Sequence, residues 1–292
     1  MLAYRHAFHA GNHADVLKHI VLMLVLEYMN LKEKGWRCVD THAGAGGYSL
    51  QGEYAAKRGE FEQGISSLWS RDDLPPDVAQ YVALVRSFNG APHGKDRPST
   101  KLTQYPGSPT IAQAMMRPQD SLRLFEMHPT DHKILSSYME GAANVEVKLD
   151  DGFARLKAQL PPPTRRGVVL IDPSYEIKTD YTRTLAALRE ALTQFPDCVV
   201  LIWLPQLQLL EATQLPQRLK NAAESLGKKG WLLARLTVAQ AGERGFGLMG
   251  SSLFIANPPH TLQDRLKPLL PWLCEALAQF DGATHRLEHS IA

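Results

Sequence analysis

Cysteine is scarce in this chain: three in 292 residues, at Cys38, Cys198 and Cys274, with no Cys-x-x-Cys spacing. That scarcity argues against a disulfide framework and a cysteine zinc site, and a reducing cytoplasm is the expected compartment. Long apolar runs are also missing. The longest, Ile20 to Leu26, is too short to span a bilayer, and the start shows no signal-peptide pattern, so no membrane role is expected. A strong charge of either sign is absent too, the net charge being +2. Such a balance permits nucleic acid as a partner without pointing to it. What remains is an ordinary globular composition, 44% hydrophobic and 21% charged, long enough for one large α/β domain plus an insertion.

Within that composition, acids recur at the ends of apolar strands. The run Gly167-Val168-Val169-Leu170-Ile171 leads into Asp172-Pro173-Ser174-Tyr175-Glu176. Ligands of open α/β sheets bind beyond the carboxyl ends of the strands, which places Asp172 and Tyr175 at a site. The loop suits methylation of an exocyclic amine on a flat base, a poor nucleophile because its lone pair is delocalised into the ring. The Asp172 carboxylate and the Pro173 carbonyl can each accept one N–H, favouring a pyramidal nitrogen whose lone pair faces an incoming methyl group. Tyr175 would stack on the base, worth roughly 1–3 kcal/mol. Orientation alone can supply roughly 7–11 kcal/mol. A bare Asp-Pro turn closing a strand has the same letters, so the loop has to be weighed with the rest of the chain.

A second strand end carries glycines. Trp36 to Asp40 reads as a strand that runs into Asp40-Thr41-His42-Ala43-Gly44-Ala45-Gly46. A dinucleotide fingerprint would need a third glycine at position 49, where serine stands. The spacing Asp-x-x-x-Gly-x-Gly is instead that of the first motif of S-adenosylmethionine-dependent methyltransferases. Upstream, Val16, Leu17, Ile20, Val21, Leu24, Val25 and Tyr28 predict a helix from Ala14 towards Gly35, with Asn12 as N-cap. Residues 1–13 bring Tyr4, Arg5, His6, His9 and His13. No acid apart from Asp15 completes a ligand set there, so no metal is expected. The segment either packs over the domain or touches a polyanion through Tyr4, Arg5, Lys18 and His19.

The next strand of a βαβ unit is missing where it is due. Residues 51–105 read instead as a helical insertion, with Val78, Tyr81, Val82, Val85 and Phe88 on one face. Ser108 and Pro109 then predict a helix start, serine as the cap and proline at the first position. Leu122 to Glu126 is the second strand, and Glu126 at its end is placed to bind a ribose through its hydroxyls. Val145 to Val147 leads to Asp150-Asp151-Gly152-Phe153, where an adenine ring would lie. Later elements are a helix (182–195), a strand (198–203), a helix (210–226) and a closing pair of strands (230–239 and 251–256). Asn257-Pro258-Pro259-His260 mimics the amine-holding motif but lacks the aromatic residue.

The ordered set is specific: Tyr4-Arg5-His6, Phe8 to His19, Asp40 to Gly46, Pro106-Gly107-Ser108-Pro109 and the Asp172 loop. It resembles the RlmJ family of bacterial 23S ribosomal RNA adenine N6-methyltransferases over nearly the whole chain. The resemblance implies a Rossmann-like α/β sheet of the class I S-adenosylmethionine-dependent methyltransferases, formed by residues 1–50 and 106–292, with a small helical insertion at 51–105. It implies S-adenosylmethionine as cofactor and naked 23S ribosomal RNA as partner, with the chain acting as a monomer. His19, His42, Ser108, Glu126, Asp151, Gly152 and Asp172 would contact the cofactor. Asp172, Pro173 and Tyr175 would be catalytic, and Tyr4 and Lys18 would touch RNA. Ser174 departs from the family's Asp-Pro-Pro-Tyr; Pro173 still offers its carbonyl, while serine restores backbone freedom. Three other readings are a DNA adenine N6-methyltransferase, a non-catalytic RNA-binding module and, disfavoured by Ser49, a nicotinamide-dependent oxidoreductase. No target-recognition domain is visible, which favours RNA over DNA.

Overall fold

In the computed structural model, which describes residues 6–51, 59–90, 101–240, 242 and 247–291, the run Gly167–Ile171 is buried at every position. A parallel strand covered on both faces reads as an unbroken apolar run, and this one lies at the centre of its sheet. Along the chain, helix α1 (His13–Asn30) precedes β1 (Arg37–Asp40), β2 (Gly47–Ser49), β3 (Gln104–Pro106), β4 (Ser121–Glu126) and β5 (Val145–Leu149). Then come β6 (Gly167–Ile171), β7 (Val199–Gln206), β8 (Trp231–Thr237), β9 (Gly250–Ala256) and β10 (Thr284–Ser290). Eight of these strands form one sheet in the order β10-β8-β9-β7-β6-β1-β4-β5, and β2 pairs with β3 separately. Strands β5, β4, β1, β6 and β7 are parallel, while β9 runs antiparallel between β7 and β8. This is the Rossmann-like α/β sheet expected from the sequence.

Alternate residues of the parallel strands feed two cores. Cys38, Leu124, Val168 and Leu170 face one side, and Val39, Phe125, Val169 and Ile171 face the other. Helix α1 lies on the first side with 15 of its 18 residues buried, because neighbouring helices and β9 cover it all round. Asn12 caps it, its side chain accepting the N–H groups of Ala14 and Asp15. Residues 59–90 contribute helices Ile65–Trp69 and Pro76–Phe88, whose Ile65, Leu68, Tyr81 and Val82 join the same core. Among the described residues, no helix is long and apolar enough to cross a membrane.

One expectation is corrected here. Ser108 does not cap the helix Ser108–Met115: Gly107 is the N-cap, and the Ser108 hydroxyl donates to Asp40 Oδ2 at 2.6 Å. The buried Asp40 carboxylate takes that hydroxyl as a donor, and the helix start has no side-chain cap. Asn257, in the motif that mimics Asp172, follows β9 at the amino end of β7, opposite the carboxyl ends of the parallel strands. Its side chain is buried and structural, joining the Lys228 and Lys229 N–H groups to the Pro196 and Cys198 carbonyls.

Candidate active site

From β1 the chain moves outward through β4 to β5, then returns to β6 on the other side and continues to β7. At such a switch point the loops beyond the carboxyl ends diverge and leave a crevice. Asp40 ends β1 and Asp172 comes directly after β6, so the two acids flank it. The crevice is a cleft of about 1040 Å³, lined among others by His19, His42, Gly44, Ser108, Glu126 and Asp172.

On the β1 side the backbone approaches closely. Gly44 has φ +62°, and a Cβ there would stand 2.2 Å from the Tyr48 hydroxyl. Its N–H donates to Glu126 Oε2 at 2.8 Å, while His128 N–H donates to Oε1 at 2.6 Å. Burial raises the pKa of Glu126 against those two donors. Each oxygen keeps a lone pair for a ribose hydroxyl. Burial also lifts Asp40 to about 6, although the Ser108 hydroxyl and the His42 N–H favour its charge. His42, edge-on to Phe153 at 4.6 Å, is lowered to about 4 by burial and is neutral.

On the β6 side the acids are organised by α1. Lys18 Nζ donates to Asp15 Oδ1 at 2.7 Å and to Asp172 Oδ2 at 2.6 Å, and its side chain is only 4% exposed. Burial works against this cation, but the two carboxylates outweigh it and raise its pKa. Asp15 also meets His6 Nε2 at 2.9 Å and accepts the Gly11 N–H, which fastens the amino-terminal segment over the site. Burial opposes its charge as well, and His6 and Lys18 overcome it, holding its pKa well below the usual carboxylate value. His9 pairs with Glu60 at 2.8 Å. Among the described residues, no group of three or more His, Cys, Asp or Glu could hold a metal ion.

A second cavity, of about 730 Å³, lies against the first, and His6, Lys18, Asp172 and Ser174 line both. Its apolar wall is Trp203, Pro205, Leu207 and Leu248. Tyr175 is not part of either cavity, which corrects its expected stacking role. With φ +55° the backbone turns the ring into the core at 4% exposure, against Tyr181 and Trp203, and its hydroxyl donates to the Trp203 carbonyl at 2.9 Å. Asp151 and Gly152 also stand behind the cleft wall. Asp151 caps the helix that starts at Gly152 and pairs with Arg183, and Arg183 is the residue that faces the cleft. Gly152 is required by close packing, since a Cβ would meet the Thr41 carbonyl at 2.2 Å. Tyr4 lies outside the described residues.

Of the groups that sequence reasoning left without a site role, Asp15 had a signal, its i,i+3 spacing from Lys18. Arg183 and Trp203 had none, being brought in by tertiary packing.

A family model described as ribosomal RNA large subunit methyltransferase D, RlmJ, matches residues 33–289. The chain belongs to the RlmJ family. A relative from Haemophilus influenzae named ribosomal RNA large subunit methyltransferase J is 43% identical over 277 residues, covering 95% of this chain and 94% of the relative. A namesake from Escherichia coli is 41% identical over 273 residues, covering 94% and 93%. A crystal structure of a Legionella pneumophila protein superposes with TM-score 0.85 at 31% identity, covering 96% of this chain and 98% of that one. S-adenosylmethionine is the methyl donor of this RlmJ-family chain, and the cleft fits it. His19 Nε2 is buried at the cleft with no hydrogen-bond partner among the described residues, Glu126 retains acceptor capacity for a ribose, and Met127 offers an apolar surface at 47% exposure.

Proposed function

We propose that this chain transfers a methyl group from S-adenosylmethionine to the N6 amine of an adenine in large-subunit ribosomal RNA. The observation that carries the reading is the meeting of two cavities at Asp172, one suited to the cofactor and the other to a flat base. Bound S-adenosylmethionine supplies an electrophilic methyl group. Glu126 would take the ribose hydroxyls, and His19, His42 and Ser108 would line the rest of the cofactor. Asp172 and the Pro173 carbonyl would each accept one amine N–H, fixing the nitrogen lone pair toward the first cavity. Lys18 engages one Asp172 oxygen, Oδ2, which keeps the carboxylate oriented and leaves Oδ1 for the amine.

With the Tyr175 ring in the core, the surface for the base would come from Trp203, Pro205, Leu207 and Leu248. A target base must leave its stack to enter such a cavity, which naked RNA permits more readily than RNA packed in a subunit. Lys18 would act on the RNA only through the amine-holding carboxylate, since it is 3% exposed.

The test is transfer of labelled methyl to unmodified 23S ribosomal RNA, with nucleoside analysis by mass spectrometry. N6-methyladenosine is expected, and Asp172→Ala should slow its formation by at least about a hundredfold without unfolding the protein. Label on DNA alone, or an unaffected Asp172→Ala variant, would overturn the reading.

A further inference from the structure

A buried chain of hydroxyls connects the cofactor cleft to the helix Pro76–Phe88. His19 Nδ1 lies 2.7 Å from the Tyr105 hydroxyl, and that oxygen lies 2.6 Å from the Tyr81 hydroxyl. Tyr81 and Tyr105 are fully buried and His19 is 1% exposed. The Tyr105 ring also stacks on the imidazole, with centroids 5.5 Å apart. Tyr81 has no other hydrogen-bond partner among the described residues.

Counting protons gives this chain a direction. If Nδ1 carried the ring proton, it would donate to Tyr105, Tyr105 would donate to Tyr81, and the Tyr81 hydrogen would be buried without an acceptor. In the opposite sense Tyr81 donates to Tyr105 and Tyr105 donates to a bare Nδ1, so every hydroxyl hydrogen is satisfied. Each sense leaves one donor over: the first leaves the Tyr81 hydrogen sealed in the core, while the second leaves an Nε2–H at the cleft wall, 4.0 Å from the Asp15 carboxylate, so the second sense is favoured. Burial drives His19 well below its usual pKa, leaving one ring proton to place. It then sits on Nε2, the buried atom at the cleft that has no hydrogen-bond partner. The nearest acid, Asp15, favours the same placement, with Oδ1 at 4.0 Å and already engaged by Lys18.

We propose that Tyr105 is a positioning residue that fixes His19 as the Nε2–H tautomer, presenting a hydrogen-bond donor to an acceptor oxygen of the cofactor. The contact with the cofactor rests on the function proposed above; the tautomer does not.

The experiment is nitrogen NMR of the full-length protein labelled with ¹⁵N-histidine, with His19 assigned by its absence in His19→Gln, together with calorimetry of S-adenosylhomocysteine. Without ligand, the wild type should show a protonated Nε2 and an unprotonated Nδ1. Tyr81→Phe should keep that pattern and the affinity, because the Tyr105 hydrogen then has Nδ1 as its sole acceptor. Tyr105→Phe should mix the tautomers and weaken S-adenosylhomocysteine about tenfold. A purely structural role would make the two variants behave alike. Proton on Nδ1 in the wild type, or unchanged tautomer and affinity in Tyr105→Phe, would overturn the proposal. Should Tyr105→Phe fail to fold, the wild-type and Tyr81→Phe spectra still decide it. No binding of S-adenosylhomocysteine to the wild type would refute the cofactor reading and leave the tautomer result standing.

Discussion

Lys18 Nζ stands 2.6 Å from Asp172 Oδ2, 154 residues later in the chain, and 2.7 Å from Asp15 Oδ1. One cation therefore serves two carboxylates in a place where water reaches poorly. Taking away one partner of a buried ionic group leaves uncompensated charge, at a cost of about 3–5 kcal/mol. Lys18→Met should lose stability on that scale in urea titrations, and methyl transfer should fall because nothing orients Asp172. Adding Asp15→Asn to Lys18→Met should recover part of the stability and none of the activity. Equal stability of wild type and Lys18→Met would mean that solvent already screens the group.

Asp40 has the opposite character, being a charge the fold holds at a loss. Its folded pKa of about 6 exceeds the unfolded value of 3.8, so the folded state binds the proton more tightly between those values. The penalty is absent below about pH 4, grows towards pH 6 and is complete above it. Asp40→Asn retains an acceptor for the His42 N–H and removes the charge. At pH 8 it should gain up to about 2–3 kcal/mol, with little gain at pH 4. Thermal unfolding at both values checks this, and an identical effect at the two would sink it. Weaker S-adenosylhomocysteine binding by the same variant would mark Asp40 as a site where stability is traded for function.

His13 and His42 act in the other direction on the same pH axis. Burial lowers each from 6.5 to about 4 in the fold. Unfolded chains take up these protons first, so the stability contribution is full above about pH 6.5 and is lost as pH falls towards 4. Each is worth up to about 3 kcal/mol, and Asp40 offsets roughly one of them between pH 6 and 4. A net loss of stability from pH 7 to 5 is expected in urea denaturation. His13→Gln, away from the cofactor cleft, should make that loss shallower; an unchanged slope would show that His13 is not neutral in the fold.

The strand-end acids were readable because a parallel sheet announces itself twice, through unbroken apolar runs and through the acids and glycines at their carboxyl ends. Asp40, Glu126 and Asp172 stand where the sequence placed them, at or just beyond strand ends beside one cleft. Side-chain direction was not readable. Nothing in Asp172-Pro173-Ser174-Tyr175 tells that Tyr175 adopts a positive φ and turns inward, because the Trp203 carbonyl that receives its hydroxyl is 28 residues away. Asp151 was hidden behind Arg183 for the same reason. Edge strand β10 left no trace because its residues, His285, Arg286 and Glu288 among them, are polar and face solvent in large part. The helix Leu262–Ala276 contains Pro268 and Pro271, which local rules treat as breaks. Its buried Leu266, Leu269, Leu270 and Leu273 hold it against the core nonetheless.

Glu126 allows a direct check of where the ribose lies. Both of its oxygens already accept backbone N–H groups, from Gly44 and His128, so the carboxylate is rigid before any ligand arrives. Hydrogen bonds to a charged group contribute about 1.5–3 kcal/mol, and Glu126→Gln should weaken S-adenosylhomocysteine by about tenfold to a hundredfold. The variant also turns an amide NH₂ towards one of those backbone donors, which by itself would loosen the Gly44 loop. A ligand lacking the ribose hydroxyls separates the two effects in calorimetry. If Glu126 holds the ribose, wild type and Glu126→Gln should bind the deoxy ligand with similar affinity. A full loss on the deoxy ligand would assign the effect to the loop and take Glu126 out of the ribose site.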